Sequence, residues 1–391
     1  MRACLGVAED DQLIVAAQPG QRELAVALTD AGYRAGARYV EVGYVDPRVQ
    51  AARIRSAREK DLGPLAPWTQ RRLRAMVEPT TANVTILPID EVGVFDGLPA
   101  GRVQLDHARI GKRMAWLTRA SSEGRRRWTG VAWPSAAWAA RVYPDLNGVD
   151  AEQRLARDLL WFCRLGPDDP PGVEGWSRHV ARIAERACAL TELSLERLEL
   201  RDAHTSLDLR LAPRTRWLGG PRQQHGRPTS GNFPTEENFT SPDPRGTEGT
   251  FRCSRPLAFR GRIIEEIAGE FRGGRLVRLE AATAADRAFL AAALDVDRGA
   301  RRLGEVALVD RSSRIGQTRR VYLNTLLDEN AVAHIAFGRG FKQSRLPDAA
   351  GRVNTSTLHL DVMIGTDELE ATGITGGGRR VPLIAAGEWR L

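Results

Sequence analysis

Leu13-Ile14-Val15-Ala16-Ala17-Gln18-Pro19-Gly20 is a short apolar run stopped by a Pro-Gly turn, and it reads as a buried strand. Residues 22–35 follow with apolar positions at Leu24, Leu28, Ala31 and Ala35, the spacing of one helix face. Tyr39-Val40-Glu41-Val42 is the next strand. Asp46-Pro47 then opens a second helix, with Asp as N-cap and Pro at the first helical position. Val84-Thr85-Ile86-Leu87 is a further strand. Strand–helix alternation of this kind predicts an open, largely parallel sheet covered by helices. Neither nucleotide fingerprint is present: no GxGxxG follows the first strand, and no GxxxxGK[ST] occurs in the chain.

Downstream, a helix is expected near 102–119 and a strand near 127–132. A stretch with Trp128, Trp133, Trp138 and Trp161 reads as packing. A helix is expected through 177–190 and an alternating strand over Leu207–Leu211. Residues 251–281 read as strands with a hairpin at Gly273-Gly274, and an alanine-rich helix covers 284–294. Gly376-Gly377-Gly378 is a hairpin turn, since it follows no strand–helix phosphate pattern.

The chain has 391 residues, 42% hydrophobic and 27% charged, the profile of an ordinary globular protein. No apolar run is long enough to span a bilayer and no signal segment is evident, so the expected location is the cytoplasm, with no membrane partner. The cysteines Cys4, Cys163, Cys188 and Cys253 are scattered, which argues against a thiolate metal site or a disulfide framework. The net charge of +8 is carried by arginines spread along the chain and mixed with acids, so no nucleic-acid partner is expected. The densest run, Arg125-Arg126-Arg127, reads as a solvated loop.

Candidate chemistry concentrates in the C-terminal part. His107, His179, His204 and His225 have no clear carboxylate neighbour and read as surface or satisfied core residues. His359-Leu360-Asp361 lies in an alternating run, so imidazole and carboxylate face the same side of a strand. Glu329 and His334 are five apart, roughly 140° around a regular helix. They can converge if Glu329 lies in the turn before a helix that starts near Asn330. Glu305 stands at the edge of the apolar strand Leu303–Val309, where an acid is costly unless paired or metal-bound. Glu236 and Glu237 are adjacent acids in an extended loop. Oxygen and nitrogen donors without a thiol suit Zn²⁺, Co²⁺ or Mn²⁺.

Four ordered strings carry a resemblance: Asn232–Thr240 (NFPTEENFT), Gly304–Leu308 (GEVAL), Asn324–Gly338 (NTLLDENAVAHIAFG) and Asn354–Gly365 (NTSTLHLDVMIG). Together they resemble the aminopeptidase T and aminopeptidase S family of metallopeptidases, and weaker similarity extends over nearly the whole chain. The resemblance implies a fold of α/β class. An N-terminal open α/β sandwich domain (1–100) would precede a larger mixed α+β metal-binding catalytic domain (101–391). It implies metal ligands at Glu237, Glu305, Glu329, His334, His359 and Asp361, two divalent ions (Zn, Co or Mn) sharing Glu305, and a catalytic carboxylate at Glu236 or Glu329. It further implies peptide substrates with a free N-terminus and a homodimer. One position departs from the family: Phe341 stands where a tyrosine usually occurs, seven residues after the histidine of the DEN motif. The competing readings are a metal-dependent amidase or dipeptidase on the same scaffold, and a non-catalytic homologue.

Overall fold

The computed structural model describes residues 1–391 except 88–91, 213 and 347–351. The chain forms two compact units: residues 1–177 with 221–234 and 260–262, and residues 178–220 with 235–259 and 263–391.

In the first unit the apolar runs become strands β1 (Gln12–Ala17), β2 (Tyr39–Tyr44), β3 (Thr81–Leu87) and β4 (Arg127–Ala132). With the short strand Asn232–Phe233 they make a five-stranded sheet in the order β2-β1-β3-β4-(232–233), parallel throughout. Helix α1 (Arg22–Arg34) connects β1 to β2, and α2 (Pro47–Ser56) follows β2. The Asp46 side chain accepts the Arg48 amide at 2.8 Å, capping α2 as its Asp-Pro start predicts. Helix α3 (Ala100–Ser122) links β3 to β4. Leu13, Val15, Val40, Val84 and Ile86 form the buried core under this sheet.

The second unit contains helix α4, Glu174–Glu192, beyond its first turn. An eight-stranded antiparallel sheet runs in the order 275–280, 268–272, 242–252, 206–211, 195–201, 370–375, 380–385, 388–389. Both expected hairpins are present, around Gly273-Gly274 and Gly376–Gly378. The alanine-rich segment is helix α5 (Ala284–Leu294). A second, four-stranded antiparallel sheet has the order β5 (Asn238–Thr240), β6 (Leu303–Leu308), β7 (His334–Gly338), β8 (His359–Met363). Both sheets contribute to one hydrophobic core that includes Leu198, Leu209, Phe251, Val306, Ile335 and Val362. Among the described residues no helix is long and apolar enough to cross a membrane.

Two expectations need correction. Arg125-Arg126-Arg127 is not a solvated loop throughout. Arg127 opens β4 and is buried, with its guanidinium 2.9 Å from Asp11 Oδ1 and donating to Asp11 Oδ2 at 3.1 Å. Burial also pulls the Arg126 pKa down to about 10. Only Arg125 is exposed, paired with Glu123. The Asp11 carboxylate decides this, because it gives the guanidinium a buried partner of opposite charge. The second correction concerns Glu329. No helix starts near Asn330; instead α6 (Thr325–Glu329) ends at Glu329, and the chain turns directly into β7. Asp328 holds that turn, accepting the Tyr322 amide at 2.9 Å and the Asn324 amide at 3.0 Å beside Arg255. Burial nonetheless pushes its pKa up to about 6.

A buried charge left without its partner is strongly destabilising, whereas a well-packed apolar pair in the same place is close to neutral. Asp11→Ala is therefore expected to cost about 3–5 kcal/mol, and the double variant Asp11→Leu/Arg127→Met much less. Denaturant midpoints of the three proteins measure this; equal losses in the single and double variants would contradict it.

Candidate metal centre

The sheet β5–β8 explains why residues far apart in sequence meet. Side chains alternate between the two faces of a strand, and cross-strand partners share a face. Glu305 of β6 lies opposite Ala336 of β7, and Ala336 lies opposite Asp361 of β8. Two residues along each strand, His334 lies opposite Ala307 and His359 opposite Gly338. Glu305, His334, His359 and Asp361 therefore project from one face. Val306, Leu308, Ile335, Phe337, Leu360 and Val362 project from the other, into the core. Glu305 lies inside β6 rather than at its edge, and all six residues of that strand are buried. The register shifts between Leu303 and Glu305. Gly304 fits there because a Cβ would lie 2.4 Å from the Gly338 and Arg339 carbonyl oxygens.

Glu237, just before β5, reaches the same face: its Oε2 is 3.2 Å from His334 Nε2. His359 Nε2 is 3.2 Å from Glu305 Oε2 and 3.4 Å from Asp361 Oδ1. Two donor triads result, Glu237–Glu305–His334 and Glu305–His359–Asp361, with donor atoms within 4.8 Å of one another in each. Glu305 belongs to both. The strands also carry Ala307 and Ala336 on this face, and these small side chains leave the acids and imidazoles room to converge.

The donor set fits divalent cations. Both histidines present Nε2 to the acids. The Nδ1–H of His359 donates to the Arg339 carbonyl at 2.8 Å, and His334 Nδ1 lies 3.5 Å from the Val332 carbonyl. A backbone acceptor on the second ring nitrogen fixes the tautomer and aims the other nitrogen, as metal-binding imidazoles require. Without a cation, the charges must balance within the cluster. Burial works against protonation of His334, yet Glu237, Asp361 and Glu305 lift its pKa to about 9. Burial likewise opposes protonation of His359, and Asp361 and Glu305 raise it to about 10. Burial pushes Glu305 above the usual carboxylate range despite His359, with Glu237 and Asp361 adding to the rise. Asp361 is held below that range: burial opposes, but His359 and His334 outweigh it. Arg339 is a further buried neighbour, its pKa drawn down to about 10 by burial against the pull of Asp361 and Glu305.

Two residues expected at the centre stand outside both triads. Glu329 is buried at the C-terminal end of α6. Glu236 is buried beside His179 of α4, with 3.4 Å between Oε2 and Nε2. His179 had read as a residue without a carboxylate partner. The two are far apart in sequence, and no local pattern signals that helix α4 carries the ring to this loop. Phe341 packs its ring edge-on against His359, with centroids 5.4 Å apart, and against Phe239 at 5.1 Å.

The sequence profile of the thermophilic metalloproteases (M29) matches residues 1–389. Aminopeptidase T of Thermus aquaticus is 32% identical over 389 residues, covering 97% of this chain and 94% of its own. Aminopeptidase AmpS of Bacillus subtilis is 27% identical over 394 residues, covering 98% and 95%. The solved structure of wild-type AmpT from Thermus thermophilus matches at a TM-score of 0.89 and 30% identity, over 100% of this chain and 97% of that one. A shared fold, end-to-end sequence similarity and a cluster of buried acids and imidazoles agree, and the chain belongs to the thermophilic metalloprotease (M29) family.

Proposed function

We propose that this chain is a metal-dependent aminopeptidase that releases N-terminal amino acids from peptides. The observation that carries the reading is the pair of donor triads sharing Glu305 on one sheet face. Relatives named as aminopeptidases, similar over nearly their whole length, support the same activity. In this reading Glu237, Glu305 and His334 hold one cation, and Glu305, His359 and Asp361 hold a second. Zinc, cobalt and manganese all suit carboxylate and imidazole donors. Bound there, the cations supply Lewis acidity, polarising a carbonyl and making hydroxide available near neutral pH. The chain's own part is to fix the donors and to move protons. Glu329, outside both triads, is proposed both as a further metal ligand and, like Glu236, as a proton carrier; each offers a carboxylate to pass a proton to the departing amine. The physiological setting proposed is a cytoplasmic homodimer acting on peptides with a free N-terminus, and neither nucleic acid nor membrane is a partner.

Chelation of the purified protein is expected to abolish hydrolysis of aminoacyl amides, and Zn²⁺, Co²⁺ or Mn²⁺ to restore it. Blocking the substrate's amine should abolish turnover as well. Activity that survives complete metal removal defeats the reading, and turnover of blocked substrates turns it towards an amidase.

The histidine pKa values give a second expectation. Both are raised, so both imidazoles carry a proton near pH 7 in the metal-free chain and must lose it to ligate. Cation binding at pH 7 should therefore release protons from His334 and His359. Apparent affinity should climb with pH and level off above about 10. Calorimetric titration in buffers of different ionisation enthalpy measures the release; none at pH 7 would contradict it.

Phe341→Tyr places a hydroxyl on the ring that packs against His359. A donor to the developing oxyanion is worth roughly 10²–10³-fold in rate where one has been removed. The variant is expected to raise kcat by about 10-fold or more, with KM little changed. Unchanged kcat would show that the hydroxyl has no such role here.

A further inference from the structure

The residues of the two triads are held in different ways. Glu305, His334, His359 and Asp361 lie on strands fixed by the ladder of β6, β7 and β8. Glu237 does not: Thr235–Glu237 belongs to no helix or strand. A ligand on such a segment needs other anchors, since disorder of its backbone would move the carboxylate away from His334.

The anchors are side chains. His179 Nε2 is 2.8 Å from the Thr235 carbonyl, to which it must donate, because a carbonyl only accepts. The same nitrogen faces Glu236 Oε2 at 3.4 Å. His179, Thr235, Glu236 and Glu237 are all buried. Four residues further along α4, the Ile183 carbonyl accepts the Asn238 side-chain Nδ2–H at 2.8 Å. Positions 179 and 183 share one helix face, so α4 grips the segment on both sides of Glu237. From the residue that follows α6, the Asn330 side-chain oxygen accepts the Glu236 amide at 2.7 Å. Asn330 is itself fixed: its side-chain Nδ2–H donates to the Leu326 carbonyl at 2.8 Å, and its backbone carbonyl accepts the Ser313 hydroxyl at 2.6 Å.

We propose that His179 is a positioning residue that holds the Thr235–Glu237 segment so that the Glu237 carboxylate stands beside His334, and that it thereby sets the affinity of the cation position formed by Glu237, Glu305 and His334. This rests on the metallopeptidase reading above. The imidazole acts through the segment, by its contacts with the Thr235 carbonyl and Glu236. The Glu305–His359–Asp361 position, built wholly on strands, does not depend on it.

The test is cation binding by the metal-free full-length chain, titrated with Zn²⁺ and followed by calorimetry and by metal content after equilibrium dialysis. The wild type is expected to take two ions per chain. Loss of a group that orients a ligand typically costs about 10–100-fold in metal affinity. His179→Leu should therefore weaken one ion by about that factor and leave the other unchanged. His179→Gln, whose amide reaches the place of Nε2, should restore the weakened position. His179→Asn, whose amide falls short, should not. If the leucine variant fails to fold, the glutamine–asparagine comparison carries the test. Two ions bound with wild-type affinity by His179→Asn would overturn the proposal, and so would equal weakening of both ions. A wild-type chain that binds no ion would instead overturn the metallopeptidase reading.

Discussion

Period-two alternation in three adjacent antiparallel strands is the constraint on which the rest depends. It obliges β6, β7 and β8 to present two different chemistries on their two faces. One face supplies Val306, Ile335 and Val362 to the hydrophobic core. The other gathers acids and imidazoles that share a small, largely buried volume. Any slip of one residue would exchange the faces, burying carboxylates in the core and exposing aliphatic side chains to the cluster. The site and the core are thus the same structural commitment. Gly304 allows it, because the bulge it relieves sets the register of Glu305.

That arrangement carries an electrostatic cost. Buried carboxylates are unfavourable unless opposite charge or hydrogen bonds compensate. Without a cation, the imidazoles are the internal compensation, which is why both are driven above their ordinary range. A cation in their place lets the imidazoles become neutral and leaves the acids ionised, so the energy that raises the histidine pKa values opposes metal only through protons. The cluster is balanced for exchange between protons and a divalent ion, consistent with a family of metalloproteases.

Much of this was legible in the sequence because it is local. Strand period, the Asp-Pro helix start and the Gly-Gly hairpin depend on neighbours within a few residues. His359-Leu360-Asp361 was readable for the same reason, since alternation alone puts both side chains on one face. What escaped was decided by side-chain partners that no local period marks. Arg127 is buried because Asp11 waits for it, more than a hundred residues earlier. Glu329 sits at the end of a helix rather than before one because Asp328 ties Tyr322 and Asn324 into the preceding turn. His179 looked unpartnered because α4 and the Glu236 loop are joined only by the fold.

Phe341 shows how such a fold tolerates change at its centre. The ring occupies an apolar niche with Leu218, Phe239 and Ala307, and it meets His359 edge-on. Those contacts need an aromatic ring and do not need a hydroxyl, so phenylalanine supplies all the packing that the His359 imidazole has here. The donors Glu305, His334, His359 and Asp361 have no such freedom: they are fixed by register, and register is shared with the core. A hydroxyl can therefore be gained or lost in the Phe341 niche far more easily than a strand-borne donor can be moved. The first change alters one atom at the margin of the site. The second would require rebuilding the face of a sheet whose other side is the hydrophobic core.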